Sequence, residues 1–286
     1  QVIPQNEQGK ITMKRFLAII LAGLMLLSLT ACGGKDNVVK RGALEMEGEG
    51  LFVSEEHSAH RTEEDGVSSE ATYERVNYSN LSAALMDLEN GKIIKLSVTE
   101  SVANYVAAHN DKFTVSVNKE NLKNFSMMTS ESNTKVYDIL NNAIKEMKAD
   151  GTLDTLIENE LKAYIESDPV AKDLPHFDGA RTIKIGVTGD LPPMDFVAAN
   201  GKAAGFNIAL LTEIANRAQV NFELVQIETG ARAMALSSGK VDVVFWTKSA
   251  TCTVCNSTAT EKIDGTLVTE SYFTDYASTL VLKSDK

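Results

Sequence analysis

Helical and strand patterns alternate along two blocks of this chain, and this alternation limits the possible folds more than any other feature. Residues 76–165 and residues 181–286 each show amphipathic helical spacing followed by short apolar runs. Such alternation predicts an α/β fold, in which helices cover a parallel or mixed sheet. We predict helices at residues 78–89, 101–108, 135–148, 153–165, 205–218 and 231–238, and strands at residues 93–98, 113–117, 124–128, 183–187, 222–227 and 241–246.

A cluster of helix-breaking residues separates the two blocks. Residues 166–180 contain Asp168-Pro169 and Leu174-Pro175 and few apolar residues, so we interpret them as a linker at a domain boundary. Residues 33–75 are polar and strongly acidic, and a segment of that composition buries little of itself. We therefore interpret them as an acidic tether.

One short pattern occurs in both blocks. Residues 84–93 and residues 233–241 each form a predicted helix that ends at Gly-Lys and continues into an apolar strand. Glycine tolerates the left-handed turn at a helix end, and lysine is favourable near the helix C-terminus. The pattern is explained by helix termination and indicates no chemistry.

The N-terminal region has the order of a secretory signal, with a predicted signal peptide at residues 13–32. Met13-Lys14-Arg15 is basic, and an almost unbroken apolar run extends from Phe16 to Leu29. This run of about 14 residues is shorter than the roughly 20 that a membrane-spanning helix needs. Leu29-Thr30-Ala31-Cys32 resembles the lipobox of bacterial lipoproteins. By that resemblance Cys32 is lipidated, and the mature chain is extracytoplasmic and anchored to the cell membrane.

The charge of the chain argues against nucleic-acid binding. Twenty-eight Lys and Arg residues stand against 39 Asp and Glu, giving a net charge of -11 that repels phosphate backbones. Three cysteines are too few for a disulfide scaffold. We predict no cofactor.

Cys252 and Cys255 form a CxxC pair, which is compatible with a local disulfide, a redox site or a metal site. We favour a disulfide because the chain is predicted to lie outside the membrane. His57 and His60 could in principle complete a zinc site with these cysteines, but two solvated histidines in the tether are the simpler interpretation. We predict no metal.

The second block carries ordered motifs at Gly186 to Phe196, Gly205 to Leu211, Gly239 to Val244 and Ser271 to Asp275. These motifs resemble those of the family 3 extracellular solute-binding proteins. Members of that family are two-lobed receptors of the periplasmic-binding-protein type 2 fold, which feed amino acids and similar polar solutes to ABC importers. By this resemblance the second block is lobe-one-like.

The first block resembles lobe two, through Asn90-Gly91-Lys92 and residues 145–153. The lobe-two-like unit therefore precedes the lobe-one-like unit, the reverse of the family order. One account is an incomplete tandem-module protein, and the other is a permuted receptor whose two units dock face to face. We favour the first account, because the crossover strands of the family are not recognisable.

The resemblance implies an arginine for a solute carboxylate and an aspartate for a solute ammonium, and this chain departs at both positions. The segment where the family arginine stands has no arginine, although Lys248 or Lys262 could supply a point charge. Thr99-Glu100-Ser101 replaces the usual aspartate motif, so Glu100 is the candidate for the ammonium contact.

The resemblance also implies ligand contacts in the lobe-one-like unit. Phe196 matches an aromatic wall, and Asp190 lies in the loop before it. Trp246 and Thr247 lie at the end of a strand, where open α/β sheets bind ligands. Arg232 lies in a predicted helix and could reach the same place, although a solvated arginine is the commoner case.

No nucleophile with a base and no acid/base pair emerges from the sequence, so we do not expect an enzyme. The expected partners are a small polar solute of the amino-acid class, an ABC importer permease and, through the lipid anchor, the membrane. The alternative is a degenerate or truncated module that acts as a sensory or structural lipoprotein.

Overall fold

The computed structural model describes residues 38–44, 72–254, 256–260 and 263–283. The predicted signal peptide, with Cys32, and most of the predicted tether, with His57 and His60, lie outside these ranges. The described residues from Val39 onward, except Thr72, form one compact unit.

Helices and strands alternate along the described part of the first block, as the sequence predicts. The structure has β1 (Val38–Leu44), β2 (Thr72–Tyr78), α1 (Leu81–Glu89), β3 (Lys95–Thr99), α2 (Glu100–His109), β4 (Phe113–Ser130), α3 (Thr134–Asp150) and α4 (Thr152–Glu160). A short 3-10 turn at Lys162–Tyr164 follows.

The second block continues the alternation, and the α/β class is confirmed. Its elements are β5 (Thr182–Val187), β6 (Asp190–Leu191), β7 (Asp195–Val197), β8 (Ala203–Ala204), α5 (Phe206–Ala218), β9 (Asn221–Gln226), α6 (Arg232–Ser237), β10 (Val243–Cys252), β11 (Ser257–Thr260), β12 (Thr266–Val268) and β13 (Phe273–Leu282).

Ten of the described strands join in one sheet. The order is β2-β1-β3-β13-β4-β10-β5-β9, with β11 added beside β10 and β12 beside β4. The pair β1-β3 is parallel and so is β5-β10, whereas β3-β13 and β10-β4 are both antiparallel. From β1 to β5 the strand directions therefore follow the same pattern from either end, with the antiparallel β13-β4 pair at the centre.

Each half of this sheet contains a strand from the other block. We call β2, β1, β3 and β13, with α1 and α2, the first half, and β4, β10, β5 and β9, with α3 to α6, the second half. Strand β13 comes from the second block but pairs with β3, and β4 comes from the first block but pairs with β10. Strands of the two predicted units therefore pair within one sheet. Whether the chain is an incomplete tandem-module protein or a permuted receptor stays a prediction.

The central pair is irregular at its middle. Tyr276 lies opposite Leu122, but the next residue, Ala277, lies opposite Asn118. Three residues of β4 are thus passed over where the two halves meet. Such an interruption removes ladder hydrogen bonds and lets the strands bend.

Local signals explain where the helices begin and end. The Asn80 side chain accepts a hydrogen bond from the amide of Ala83 at 2.8 Å, which caps α1. Gly151, with a φ of 81°, separates α3 from α4. A left-handed residue at this position is typical of a helix end and favours glycine.

The main hydrophobic core extends through both halves. It includes the fully buried Leu96 from the first half and Phe113, Ile185, Leu211 and Phe206 from the second. Because β4 and β13 pair along the boundary between the halves, apolar side chains on one half pack continuously with those on the other.

Several elements differ from the prediction, and the central strand β13 was not among the predicted strands. The strands predicted at residues 113–117 and 124–128 are one strand of 18 residues, because the polar segment between them also pairs with β13 and β10. Strand β1 lies in the predicted tether, where Ala43 and Leu44 are buried against the sheet. Among the described residues, the search for a helix that is long and apolar enough to span a membrane finds none.

Candidate functional site

A small cavity lies where β5 ends and β10 extends past it. Its volume of about 20 Å³ is room for roughly one water molecule. This is the edge of an α/β sheet at which ligands commonly bind. The cavity is lined by Phe125, Gly186, Thr188, Leu191, Met194, Asp195, Asn207, Arg232, Phe245, Trp246 and Tyr272.

Asp195 organises one wall of this cavity. Its side chain is 4% exposed, and Oδ1 accepts hydrogen bonds from the amides of Thr188 and Gly189 at 3.0 and 2.8 Å and from Thr188 Oγ1 at 2.6 Å. Oδ2 accepts a hydrogen bond from Asn207 Nδ2 at 3.1 Å. These four donors hold the loop after β5 against the start of α5.

Arg232 and Trp246 form the opposite wall. Arg232 is 3% exposed and is the first residue of α6. Its Nε donates to the carbonyl of Thr229 at 3.0 Å and its Nη1 to the carbonyl of Phe245 at 2.9 Å. The guanidinium lies 5.0 Å from the centre of the Trp246 ring, a cation–π distance. A buried cation is thus held in a fixed orientation beside the cavity.

Tyr272 interacts electrostatically with both of these charges. Its side chain is 1% exposed, and burial raises the pKa of its hydroxyl above the ordinary range. The negative charge of Asp195 raises this pKa further, whereas the positive charge of Arg232 lowers it. The hydroxyl donates a long hydrogen bond, 3.4 Å, to Asn207 Oδ1. The cavity therefore combines one fixed cation and one fixed anion with aromatic walls.

Asp190 contacts the first half of the sheet instead of the cavity. Its Oδ2 accepts a hydrogen bond from the amide of Leu81, the first residue of α1, at 2.9 Å. Burial raises the pKa of the Asp190 carboxyl, and the amides of Leu81 and Ser82 oppose that rise. Asp190 therefore acts as an N-terminal partner of α1 in this structure.

The other predicted contacts in the second half are placed differently. Phe196 is half-buried in β7, opposite Asp190, and is not among the described residues that line the cavity. Thr247 and Lys248 belong to β10, but their side chains lie outside what the structure describes, as does Lys262. The pairing of β10 with β4 shifts between Thr247 and Ser249.

Glu100 lies in the first half, where it begins α2. The amide of the next residue, Ser101, donates a hydrogen bond to Oδ2 of the buried Asp275 at 2.9 Å. Burial raises the pKa of the Asp275 carboxyl, and the charge of Glu100 adds to the rise. Glu100 is half-buried and is not among the residues that line the cavity.

The predicted cysteine pair is only partly described. Cys252 is buried in β10, whereas Cys255 lies outside the described residues, so the disulfide remains a prediction. Within the described ranges no group of three or more His, Cys, Asp or Glu side chains is arranged to hold a metal ion.

The sequence predicts Trp246 as a ligand contact, but it does not predict most of the other residues that line the cavity. Asp195 lies five residues after Asp190, and no sequence pattern distinguishes it as a site residue. The sequence allows Arg232 as a possible contact, but its local context does not indicate that it is buried. The only sequence signal was a charged residue at the start of an apolar helix, which is usually solvated.

One comparison with known sequences gives a match. Residues 183–258 match the bacterial extracellular solute-binding proteins, family 3. This family match lies inside the block that the sequence predicted as lobe-one-like, and it contains Asp195, Arg232 and Trp246. No curated protein sequence matches the chain.

Solved structures resemble the chain at low identity. The ligand-binding component of an ABC-type import system from Staphylococcus aureus, with zinc bound, has 10% identity and a TM-score of 0.43, over 86% of this chain and 66% of that one. This chain thus spans slightly less than two thirds of that protein. The GluR0 ligand-binding core with L-glutamate has 12% identity and a TM-score of 0.41, over 88% and 87%.

The probable amino-acid ABC transporter extracellular-binding protein YtmK from Bacillus subtilis has 11% identity and a TM-score of 0.40, over 86% and 84%. The regulatory domain of OxyR is also among the similar structures.

Proposed function

We propose that this chain is a non-enzymatic receptor that captures a small polar solute of the amino-acid class outside the cytoplasm and delivers it to an ABC importer. The family match at residues 183–258 is the observation that carries the proposal. The predicted lipobox at Cys32 supports attachment to the membrane through lipid, so the proposed receptor is a lipoprotein.

The cavity beside β5 and β10 is the proposed binding site. Arg232 supplies the positive charge for the solute carboxylate. The segment in which the family arginine stands has no arginine in this chain. A planar guanidinium suits a solute carboxylate, because it can donate two parallel hydrogen bonds. Trp246 lies against the same guanidinium and supplies apolar contact area.

The proposed site is closed in this structure. A cavity with room for one water cannot hold an amino acid, so the residues that line it must move apart for the proposed solute to bind. Asp190, Phe196, Thr247, Lys248 and Glu100 remain proposed contacts of this wider, opened cleft. Phe196 and Asp190 lie opposite each other at its second-half side.

A thermal-shift screen of the chain against L-amino acids and small peptides, followed by calorimetry on each hit, tests the proposal. A ligand that binds only the folded state raises the melting temperature. We expect a saturable hit that requires the carboxylate, so the corresponding amino-acid amide should bind at least tenfold more weakly. No shift with any solute, in a folded sample, would favour the sensory or structural alternative.

Variants of Arg232 test whether the solute binds in the cavity beside β5 and β10. Arg232→Gln should weaken binding about 10- to 100-fold, since a hydrogen bond to a charged group contributes about 1.5–3 kcal/mol. Arg217→Gln is the matched control, because Arg217 pairs with Glu213 and Asp150 on the surface of α5. A lower melting temperature with unchanged affinity in Arg232→Gln would show that Arg232 is structural only.

A further inference from the structure

The indole nitrogen of Trp246 is a buried hydrogen-bond donor. Trp246 is 7% exposed, and Nε1 has no hydrogen-bond acceptor among the residues that the structure describes. An indole nitrogen can only donate, and a buried donor without an acceptor is costly. Since buried polar groups in native proteins are nearly always hydrogen-bonded, this N–H points to an acceptor that the described part of the fold does not supply.

The surroundings of the Trp246 ring limit where that acceptor can lie. Ile227, Leu236 and Val244 belong to the same buried cluster as Trp246, and their side chains carry no hydrogen-bond acceptor. Trp246 also lines the cavity of about 20 Å³, which has room for one small group. The cavity is therefore the side from which an acceptor reaches Nε1.

Asp195 is the carboxylate among the described residues that line the cavity, and its oxygens are already engaged. They accept four hydrogen bonds, from the Thr188 amide and hydroxyl, the Gly189 amide and the Asn207 side chain. Four is about the full capacity of a carboxylate. The acceptor for Trp246 must therefore be brought by a bound molecule. For the same reason Asp195 is poorly placed to receive an ammonium group.

Arg232 makes this part of the cavity favourable for an anion. Its guanidinium lies 5.0 Å from the centre of the Trp246 ring and is held by the carbonyls of Thr229 and Phe245. An acceptor bound to Nε1 thus lies close to a fixed positive charge, whose attraction is strong where water is excluded. Hydrogen bonds to ionised acceptors are also stronger than those to neutral ones. Together these features favour a negatively charged oxygen.

We propose that Trp246 Nε1 donates a hydrogen bond to a carboxylate oxygen of the bound solute, beside the positive charge of Arg232. The inference rests on the proposed function and deepens it, because it makes Trp246 a specificity-determining donor as well as an apolar contact. This subsite selects a carboxylate over the corresponding amide. It offers no acceptor to an ammonium group, so any ammonium of the solute lies outside it.

Formate, the smallest carboxylate, probes the subsite on the full chain before any solute is known, and formamide is its neutral counterpart of similar shape. Each is titrated at constant ionic strength while ¹H–¹⁵N spectra follow the indole N–H. The chain has one tryptophan, so the spectrum has one such signal. We expect formate to move this signal downfield until it saturates, and formamide to bind at least tenfold more weakly, because it lacks the charge.

Replacing the one tryptophan with benzothienylalanine, in which sulfur takes the place of the N–H, removes the donor and keeps the ring. Formate binding, now followed at the amide of Gly186 in the cavity wall, should weaken at least tenfold. Trp246→Phe should have the same effect. The control is Tyr137→Phe in α3, which alters an aromatic side chain that is not among the residues lining the cavity and should bind formate as the wild type does.

The proposal is overturned if formate gives no saturable shift of the indole signal, if formamide binds as tightly as formate, or if the sulfur-containing chain binds formate as the wild type does. A saturable shift with chloride but not with formate would also overturn it, since the subsite would then take a monatomic anion. Circular dichroism shows that each variant is folded.

Failure of this inference and failure of the proposed function are separate results. A solute from the thermal-shift screen whose affinity is unchanged by the sulfur replacement leaves the receptor function intact and overturns the role of the Trp246 N–H. A formate response of the expected kind, with no hit in the solute screen, supports the subsite and counts against the receptor function alone.

Discussion

At the residue scale, the second half depends on one buried carboxylate. Asp195 receives four hydrogen bonds from the loop after β5 and from α5, and two of the donors are backbone amides. The amides of Thr188 and Gly189 lie beyond the end of β5, so no neighbouring strand would accept their hydrogen bonds if Asp195 were removed. A single side chain therefore fixes the backbone on which the cavity wall is built.

We expect Asp195→Ala to lower the free energy of unfolding by about 3 kcal/mol or more, since it leaves several buried donors unsatisfied. Urea denaturation followed by circular dichroism measures the change. Asp173→Ala, at an exposed ion pair, should cost less than about 1 kcal/mol. Equal losses in the two variants would contradict a special role for Asp195.

Tyr78 gives a prediction that depends on pH. Its hydroxyl, in β2, donates to Asp87 Oδ2 of α1 at 3.0 Å. Burial, followed by the hydrogen bond and charge of Asp87, raises the pKa of Tyr78 from 10.0 to about 12. The folded state therefore holds this proton more tightly than the unfolded state, so the stabilisation is complete below pH 10 and is lost as pH rises through 12.

We expect Tyr78→Phe to cost about 1–2 kcal/mol near neutral pH through the lost hydrogen bond. The difference in unfolding free energy between wild type and Tyr78→Phe should shrink between pH 10 and pH 12. Denaturant titrations across that range measure it. A difference that stays constant to pH 12 would show that the pKa of Tyr78 is not raised.

At the element scale, two glycines end or begin helices for different physical reasons. Gly151 has a φ of 81°, and a Cβ there would meet nothing within 4 Å. Gly205 has a φ of 106°, and a Cβ there would lie 2.5 Å from the carbonyl oxygen of Met194. The first position requires only backbone freedom, whereas the second also requires empty space before α5.

Gly151→Ala should therefore destabilise the protein by about 1 kcal/mol, the cost of a left-handed alanine. Gly205→Ala should cost clearly more, since backbone atoms must also move. Thermal unfolding of the two variants under identical conditions compares them. If the two melting temperatures fall equally, the close approach at Gly205 is relieved at no cost.

The same scale shows what the sequence could and could not predict. Helices such as α3 and α5 were predicted nearly to their ends, because amphipathic spacing and terminal glycines are local signals. Strand β4 was not, because residues 118–124 are polar and reveal their strand structure only through pairing with β13 and β10. Likewise, Arg232 is buried through contacts with Thr229, Phe245 and Trp246 that no local pattern encodes.

At the scale of the whole molecule, the shared central strands couple the two halves. Leu96 is fully buried in β3 of the first half, and Trp246, the one tryptophan of the chain, lies in the second. Because β13 and β4 pair with each other and with both halves, loss of packing in one half weakens the sheet that supports the other.

We expect Leu96→Ala to reduce the unfolding free energy by about 2–4 kcal/mol, as is usual for a buried leucine. The transition seen by Trp246 fluorescence should shift as far as the one seen by circular dichroism. Met86→Ala, at an exposed position of α1, is the control and should shift neither. A fluorescence transition unchanged by Leu96→Ala would show that the halves unfold independently.

The exchanged strands also bear on what half of this molecule would do alone. A polypeptide with only β1, β2, β3 and β4 would lack β13, the strand that pairs with β3. Its β4 would also lack both of its partners, β13 and β10. Two copies could pair with each other through β4, since β13 and β4 hold equivalent positions beside β3 and β10 in the sheet. The central part of the sheet therefore resembles that of a strand-swapped homodimer joined into a single polypeptide.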